Sequence, residues 1–492
     1  MRVISSTSNR NSWRLLPLAS LLLLAGCSTL APDYQRPDAP VPQQWPEGKA
    51  YAANSGDAKA AAELPWQDFI RDQRLQTLIQ LALDNNRDLR QTLEDVQAAR
   101  ASYLVQRGGE MPTVNAGLSA SRSKVQAGTT SNSAQATVGM SAYEIDLFGK
   151  NRSLTEAERQ SWLASEETAR AARITLIGEI TSAWLTLAAD RNLLTLAEQT
   201  AENARQAMEI TRKRLEMGVD SRVDLSSAET TWYSAKADIA SYTTQVAQDR
   251  NALWLLVGQN FDDSLLPTEL PASTGLLADI PAGLQSDVLL QRPDVLAAEH
   301  SLQSANASIG AAKAERFPSL SLTATGGLAS SAMADIFTGG ASTIWTLAPS
   351  LSMPIFDGGS SKAQVAYSEA EYRKAVAAWE GTVQSAFAEV ADALARRGTI
   401  QQQLDAETSV VSAAQRSYDL SLARYQNGID SFNDALDSQR TLYSSQQGLI
   451  NTRLEDLDNR VTLYRVLGGG LAEPNTTADS EPAAAVNGAA GG

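Results

Sequence analysis

Cysteine and histidine are nearly absent: among 492 residues there is one of each, Cys27 and His300. A single cysteine excludes an intrachain disulfide, and one thiol with one imidazole leaves almost nothing for a metal site or a nucleophile–base pair. His300 follows Glu299 in a helix-forming stretch and reads as a packed or surface residue rather than a ligand. A phosphate-cradling glycine loop and a nucleophile elbow are also missing. The composition therefore predicts no enzyme, no metal and no cofactor. Cations are the minority charge, 41 against 56 acidic residues, for a net charge of −15. Acidity of that size argues against nucleic acid or an anionic lipid surface as a partner of the whole chain.

Proline is absent from two long stretches, between Pro112 and Pro267 and between Pro354 and Pro474. Glycine is scarce there too: 152–216 contains only Gly178, and 361–426 only Gly381 and Gly398. A helix of that length would reach about 95 Å at 1.5 Å per residue, so coiled-coil packing is implied. Leu176, Ile180, Ala183, Leu187, Leu194, Ala197, Ala201, Ala204, Met208 and Leu215 lie on steps of three and four, interrupted at Asp190 and Thr211. Such a 3.5-residue period is the mark of helices wound around one another. Glu179, Glu198, Glu202, Arg205 and Glu209 lie opposite, on a wetted face.

The second half of the chain repeats the first at a shift of about 206 to 210 residues. Asp88, Ala99 and Pro112 fall on Asp294, Ala305 and Pro318; Arg214, Gly218, Asp220, Ser221 and Asp224 fall on Arg424, Gly428, Asp430, Ser431 and Asp434. A period this long means one structural unit used twice. Each copy reads helix, two strands, two very long helices. The first spans 67–258, with strands at about 113–123 and 136–147 and long helices at about 152–216 and 221–257. A linker at 259–284 leads to the second, 285–470, with strands at about 319–329 and 343–353 and helices at about 361–426 and 431–467. Residues 471–492 read as a disordered tail.

The strands alternate strictly. Val114, Ala116, Leu118 and Ala120 face one way, as do Ala136, Val138, Met140 and Ala142, with small polar residues between them. The second copy places Leu320, Leu322 and Ala324, then Trp345, Leu347, Leu351 and Met353, in the same pattern. One apolar and one polar face suit a transmembrane barrel, with exposed loops at 124–133 and about 330–341 and an aromatic girdle near the strand ends. Four strands cannot close, and an open edge in hydrocarbon would leave amides and carbonyls unpaired. Closure needs further copies; eight strands would be filled by side chains, leaving a trimer of twelve or a tetramer of sixteen open.

The N-terminus carries Arg2, Arg10 and Arg14 ahead of an apolar stretch from Leu15 to Leu24 that is short for a membrane span. It ends Leu24-Ala25-Gly26-Cys27, which resembles the lipobox of bacterial lipoproteins. On that reading 1–26 is a leader and Cys27 receives a diacylglycerol and an N-acyl (palmitate-type) chain, with Ser28 matching outer-membrane sorting. The proline-rich 27–66 would be an extended tether.

Several further motifs carry a resemblance. They are Ala31-Pro-Asp-Tyr-Gln-Arg-Pro37, Asn85-Asn-Arg-Asp-Leu89, Tyr143-Glu-Ile-Asp-Leu-Phe-Gly149, Leu290-Gln-Arg-Pro-Asp-Val295, Phe317-Pro-Ser-Leu-Ser321 and Leu463-Tyr-Arg-Val-Leu-Gly-Gly-Gly470. Together they resemble the outer membrane factors of the TolC family, in the OprM-like, NodT-type lipoprotein branch that serves resistance–nodulation–division (RND) pumps. The resemblance implies a mainly α fold with transmembrane β: a homotrimer with a twelve-stranded outer-membrane β-barrel continuous with a twelve-helix periplasmic α-barrel. It also implies a passive efflux duct for drugs and other small toxic compounds in a Gram-negative outer membrane. Its partners would be a periplasmic adaptor protein, an inner-membrane RND transporter and outer-membrane lipid. The exit duct of a type I protein-secretion system and a non-conducting envelope tether are the alternatives.

Function in such a duct would concentrate at the two turns of the long helices. Gly218 and Gly428 suit the left-handed end of a helix, while Asp220, Ser221, Asp430 and Ser431 suit a cap of the next. With Val219 and Ile429 these residues form the tips where an adaptor would dock. Asp434 and Asp437 lie one turn further on and share a helix face. The resemblance assigns Asp434 and Asp437 to carboxylate rings at a closed periplasmic gate, and Tyr425 and Asp224 to links holding it shut. The basic partner of the link stays open between Arg424 and Arg222.

If Cys27 is acylated, Cys27→Ala should abolish incorporation of radiolabelled palmitate. Full labelling of that variant would refute the lipoprotein reading.

Overall fold

A computed structural model describes residues 29–51, 64–124, 128, 130–271, 276–278 and 286–469. Cys27, the leader and the tail from 471 lie outside them. The described elements run α1 (Gln73–Asn85), α2 (Arg87–Gly108), β1 (Val114–Lys124), β2 (Thr130–Ile145), α3 (Lys150–Glu216) and α4 (Arg222–Val257). They continue with α5 (Pro293–Ala314), β3 (Ser319–Ser330), α6 (Met333–Thr338), β4 (Ser342–Ser352), α7 (Ser360–Gln426) and α8 (Phe432–Val466). No helix among the described residues is long and apolar enough to cross a membrane. The chain divides into two compact units, both built from segments of each repeat.

The first unit takes in the described residues up to Val41 together with Gln91–Ala169 and Pro293–Ser385. Its four strands form one antiparallel sheet in the order β1-β2-β3-β4. Directly paired residues point to the same side. Val114, Met140, Ala324 and Leu347 therefore share a face, as do Ala116, Val138, Gly326 and Trp345. The opposite face carries Asn115, Ser119, Ser121, Thr137, Thr325 and Thr346.

Three details differ from the alternation read in the sequence. β2 begins at Thr130, six residues before the expected start, and pairs with β1 down to Lys124, so the first hairpin loop is shorter than 124–133. The second loop contains α6. Between Met140 and Tyr143 the register shifts, with Ala142 at φ 52°. This bulge removes Ala142 from the apolar face and puts Tyr143 and Ile145 there, opposite Leu322 and Leu320. The extra residue lets an odd-numbered stretch continue the face of an even-numbered one.

Where the strands meet the helices, Phe148 and Phe317 stack with centroids 4.7 Å apart. The tether lies against the same region. A Cβ on Gly149 would stand 2.8 Å from Thr29 Cα, and one on Gly310 2.6 Å from the Ala31 nitrogen. Asn306 donates to the Pro32 carbonyl at 2.8 Å. Glu299, nearly buried, accepts from Arg36 Nε at 2.8 Å, from Arg36 Nη2 at 2.7 Å and from the Tyr34 hydroxyl at 3.2 Å. His300 contacts Gln160 Oε1 through Nδ1 at 2.7 Å.

The second unit comprises Pro42–Arg90, Arg170–Arg292 and the chain from Ala386. Within α3, Leu176, Ile180, Leu187, Ala197, Ala201, Ala204 and Met208 of the predicted seam are buried. Trp184 adds to this core and donates to the Leu265 carbonyl at 3.0 Å. The segment expected to be a linker is structured in part: Asp263–Leu265 form a 3₁₀ turn, and Ile70 bridges Leu277. Phe69 stacks on Tyr464 at 4.0 Å, and the Tyr464 hydroxyl reaches the Leu64 carbonyl at 2.6 Å.

Arg36→Ala should strip Glu299 of its cation while leaving it buried, a change of about 1–3 kcal/mol for a charged group deprived of its partner. Thermal unfolding should shift downward and limited proteolysis should cut the tether sooner. An unchanged cleavage rate would show that this clamp does not hold the tether.

Candidate functional site

The two turns predicted as tips are built alike. Gly218 at φ 75° and Gly428 at φ 71° end α3 and α7. The next amides reach back five residues to close the helix, Val219 N to Arg214 O at 2.8 Å and Ile429 N to Arg424 O at 2.9 Å. Ser221 and Ser431 are the N-caps of α4 and α8, each in a reciprocal box with the aspartate three residues on, Asp224 and Asp434. Asp220 and Asp430 do not cap. They pair with the arginine six residues before them: Arg214 Nε lies 3.0 Å from Asp220, and Arg424 Nη2 2.7 Å from Asp430. Each cation thus stitches its own turn shut. Within one chain, Arg424 is therefore spent on Asp430, whose carboxyl it holds below the usual carboxylate range.

The two turns meet at Tyr425. Its side chain is 2% exposed and sits in a small core with Ala207, Met208, Ala228, Phe432, Ala435 and Leu436. The hydroxyl donates to Asp220 Oδ2 at 2.5 Å and lies 3.0 Å from Thr211 Oγ1. Arg214 stands 4.7 Å over the ring. Burial, then the hydrogen bond to Asp220, pushes the Tyr425 phenol up to about 12, so it remains a donor at every physiological pH. Within the chain, then, the partners of Tyr425 are Asp220, Thr211 and Arg214, while Asp224 is occupied at its cap. Thr211, read as a break in the seam, is fully buried with its hydroxyl 3.0 Å from both the Ala207 carbonyl and the tyrosine hydroxyl; since the phenol's own proton goes to Asp220, the threonine is the donor to the tyrosine oxygen. Asp434 and Asp437 are exposed; Asp437 lies 3.7 Å from Arg440. Met217, Val219, Val223 and Ile429 expose apolar side chains beside the turns.

Further from the turns, α4 and α8 keep contact through polar pairs. Tyr443 donates to Asp238 at 3.0 Å and Gln447 to the Tyr242 hydroxyl at 2.9 Å. The other seam break, Asp190, neighbours Asp249 across the first hairpin. Oδ2 of Asp249 is buried, and burial followed by the neighbouring Asp190 raises this carboxyl to about 7; burial raises Asp190 too. The adjacent arginines are engaged elsewhere, Arg250 with Asp263 and Arg191 with the Pro267 carbonyl. The sequence reading missed this pair and Arg214, although both seam breaks and the repeated arginine were visible in it.

A duplicated chain with a four-stranded amphipathic sheet, and hairpins of very long helices closed by matching turns, defines the class of outer-membrane ducts. The outer membrane efflux protein model matches twice, over residues 78–259 and 284–469. The probable efflux pump outer membrane protein TtgC of Pseudomonas putida is 44% identical over 476 residues, covering 95% of this chain and 98% of that protein. Outer membrane protein OprJ of Pseudomonas aeruginosa is 39% identical over 464 residues, covering 92% and 96%. The open-state MtrE outer membrane channel of Neisseria gonorrhoeae superposes with a TM-score of 0.82 at 34% identity, covering 90% of this chain and 99% of that one. The chain belongs to the outer membrane efflux protein family. It is an exit duct in a Gram-negative outer membrane, and the family is one of channels rather than enzymes.

A folded-state carboxyl raised above its unfolded value binds protons that the unfolded chain has lost, so stability falls as pH rises through the window from about 4 to about 7. Asp249→Asn removes the strained ionisation while keeping a donor for Asp190. Its melting temperature should exceed that of the parent at pH 8, with the difference shrinking at pH 5. Equal melting at both pH values would count against the raised carboxyl.

Proposed function

We propose that three copies of the chain close a twelve-stranded barrel and form a passive duct for small toxic compounds. An inner-membrane RND transporter and a periplasmic adaptor would deliver them. The observation that carries the assembly is the open sheet: β1 and β4 each end the order β1-β2-β3-β4 with one edge unpaired within the chain. An unpaired edge in lipid costs several kcal/mol per group, and pairing β4 of one copy with β1 of the next removes both edges. The family's membership of efflux pumps supports the substrate class. The apolar tips around Val219 and Ile429 are the surface we assign to the adaptor.

In this reading Asp434 and Asp437 form two carboxylate rings around the axis at the helix turns. The cap uses Oδ2 of Asp434, and a carboxylate has a second oxygen with its own lone pairs. Six like charges around a narrow opening repel: a pair at 4 Å interacts by about 4 kcal/mol at an effective dielectric of about 20. Such rings attract multivalent cations from the periplasmic side. Opening requires the hairpins to part, so the Tyr425–Asp220 contact is the latch between them. Covalent acyl chains on Cys27 would add a second hold on the membrane.

The test is a planar-bilayer recording on protein whose native mass equals three chains. The parent channel should be cation-selective and blocked by di- or trivalent cations added on the periplasmic side. Asp434→Ala with Asp437→Ala should relieve the block and weaken the selectivity while the trimeric mass is retained. Unaltered block and selectivity would make these aspartates an ordinary solvated helix face.

A further inference from the structure

The strands carry charge unlike the rest of this acidic chain. Between residues 111 and 143, and again between 319 and 352, there are only three charged side chains: Arg122, Lys124 and Asp335. Both cations lie at the end of β1 remote from α2, on the apolar face. Val114, Ala116, Leu118, Ala120, Arg122 and Lys124 follow one another at every second position of an exposed strand. The polar residues of β1 lie on the other face, so the two cations point outward into the membrane boundary rather than into the duct. Opposite them stand Asn132 and Thr130, and among the described residues neither cation meets a carboxylate.

α6 packs on the same face. Ala134 pairs with Ala120 on one side and with Ser330 on the other, and it is 2% exposed although its strand neighbours are not buried. The Ser330 hydroxyl donates to Asp335 Oδ2 at 2.7 Å, and Ile336 is buried. The short helix therefore lies on the lipid side of β2 and β3, one step along the strands from Arg122, with its single acid turned back to Ser330. It leaves Phe337 and Met333 exposed. Two cations thus stand above an apolar shelf formed by Leu118, Ala136, Leu328 and Phe337.

From this arrangement we infer that the outward rim of the sheet is a binding site for the bisphosphorylated, multiply acylated glycolipid of the outer leaflet. The Arg122 guanidinium offers the planar fork that suits a phosphate, Lys124 offers a second charge to the next phosphate, and the acyl chains lie along the shelf. The net charge of the chain opposes an anionic surface only as an average. Over a Debye length of about 8 Å the field at this rim is set by its own residues. Continuity with the lipid-facing band of the barrel identifies the occupant as a lipid, and the two cations identify it as one bearing phosphate.

Native mass spectrometry of the full-length protein in detergent, with added hexa-acylated bisphosphoryl lipid A, tests this. The protein should retain lipid A at least tenfold better than monophosphoryl lipid A or phosphatidylglycerol. Arg122→Gln with Lys124→Gln should abolish that preference, whereas Arg122→Lys with Lys124→Arg should keep most of it. Retention by the unmodified protein should also fall as salt is raised from about 0.05 to about 0.5 M, where screening shortens. Unchanged retention in the double glutamine variant, equal retention of phosphatidylglycerol, or indifference to salt would each overturn the assignment.

Discussion

Every backbone amide and carbonyl that enters a bilayer must find a partner without help from water. For a chain whose described residues supply four strands, this one constraint decides most of the rest. It makes the barrel a property of several copies, and it places lipid on one face of each strand and water on the other. The bulge at Ala142 gives up local pairing but keeps the apolar side of β2 outward to Ile145. The helices face no such demand. Their hydrogen bonds are internal, so their sequence is free to be polar and alanine-rich, and their seams are narrow.

The duplication made the fold legible. A repeat of about 210 residues, two spans without proline and strands with period two leave few arrangements. Boundaries were less visible where small polar residues carry no period: Thr130 to Gln135 look like a loop in sequence and are held as strand by β1. In the candidate site, the turn glycines and serines were readable because turn chemistry is local. The clasp was not. Thr211, Arg214 and Asp220 meet Tyr425 across more than 200 residues, and nothing local marks a threonine in an alanine seam as a hydrogen-bond partner for a distant phenol. Asp190 and Asp249 were hidden for the same reason. Each looks like a solvated acid until the hairpin folds and sets them side by side.

The two repeats have diverged in their use of charge. Arg214–Asp220 and Arg424–Asp430 are the same ion pair in both turns, a local device that fixes loop shape. On that shared frame only one turn has acquired the tyrosine; its equivalent in the first copy is Leu215. One carboxylate, Asp220, therefore serves both its own turn and the neighbouring hairpin. A modest substitution has turned a structural element into a contact between hairpins.

Beyond the turns, the two hairpins sit out of step: equivalent residues of the two copies differ by 210, yet the residues of α4 and α8 that touch differ by 205, Asp238 with Tyr443 and Tyr242 with Gln447. The parallel helices α4 and α8 are thus displaced by five residues from perfect equivalence, about 7.5 Å along their axes. The first turn projects further than the second. In the trimer proposed above, the turns would alternate in height around the rim, so the two copies of the repeat would offer a partner unequal tips.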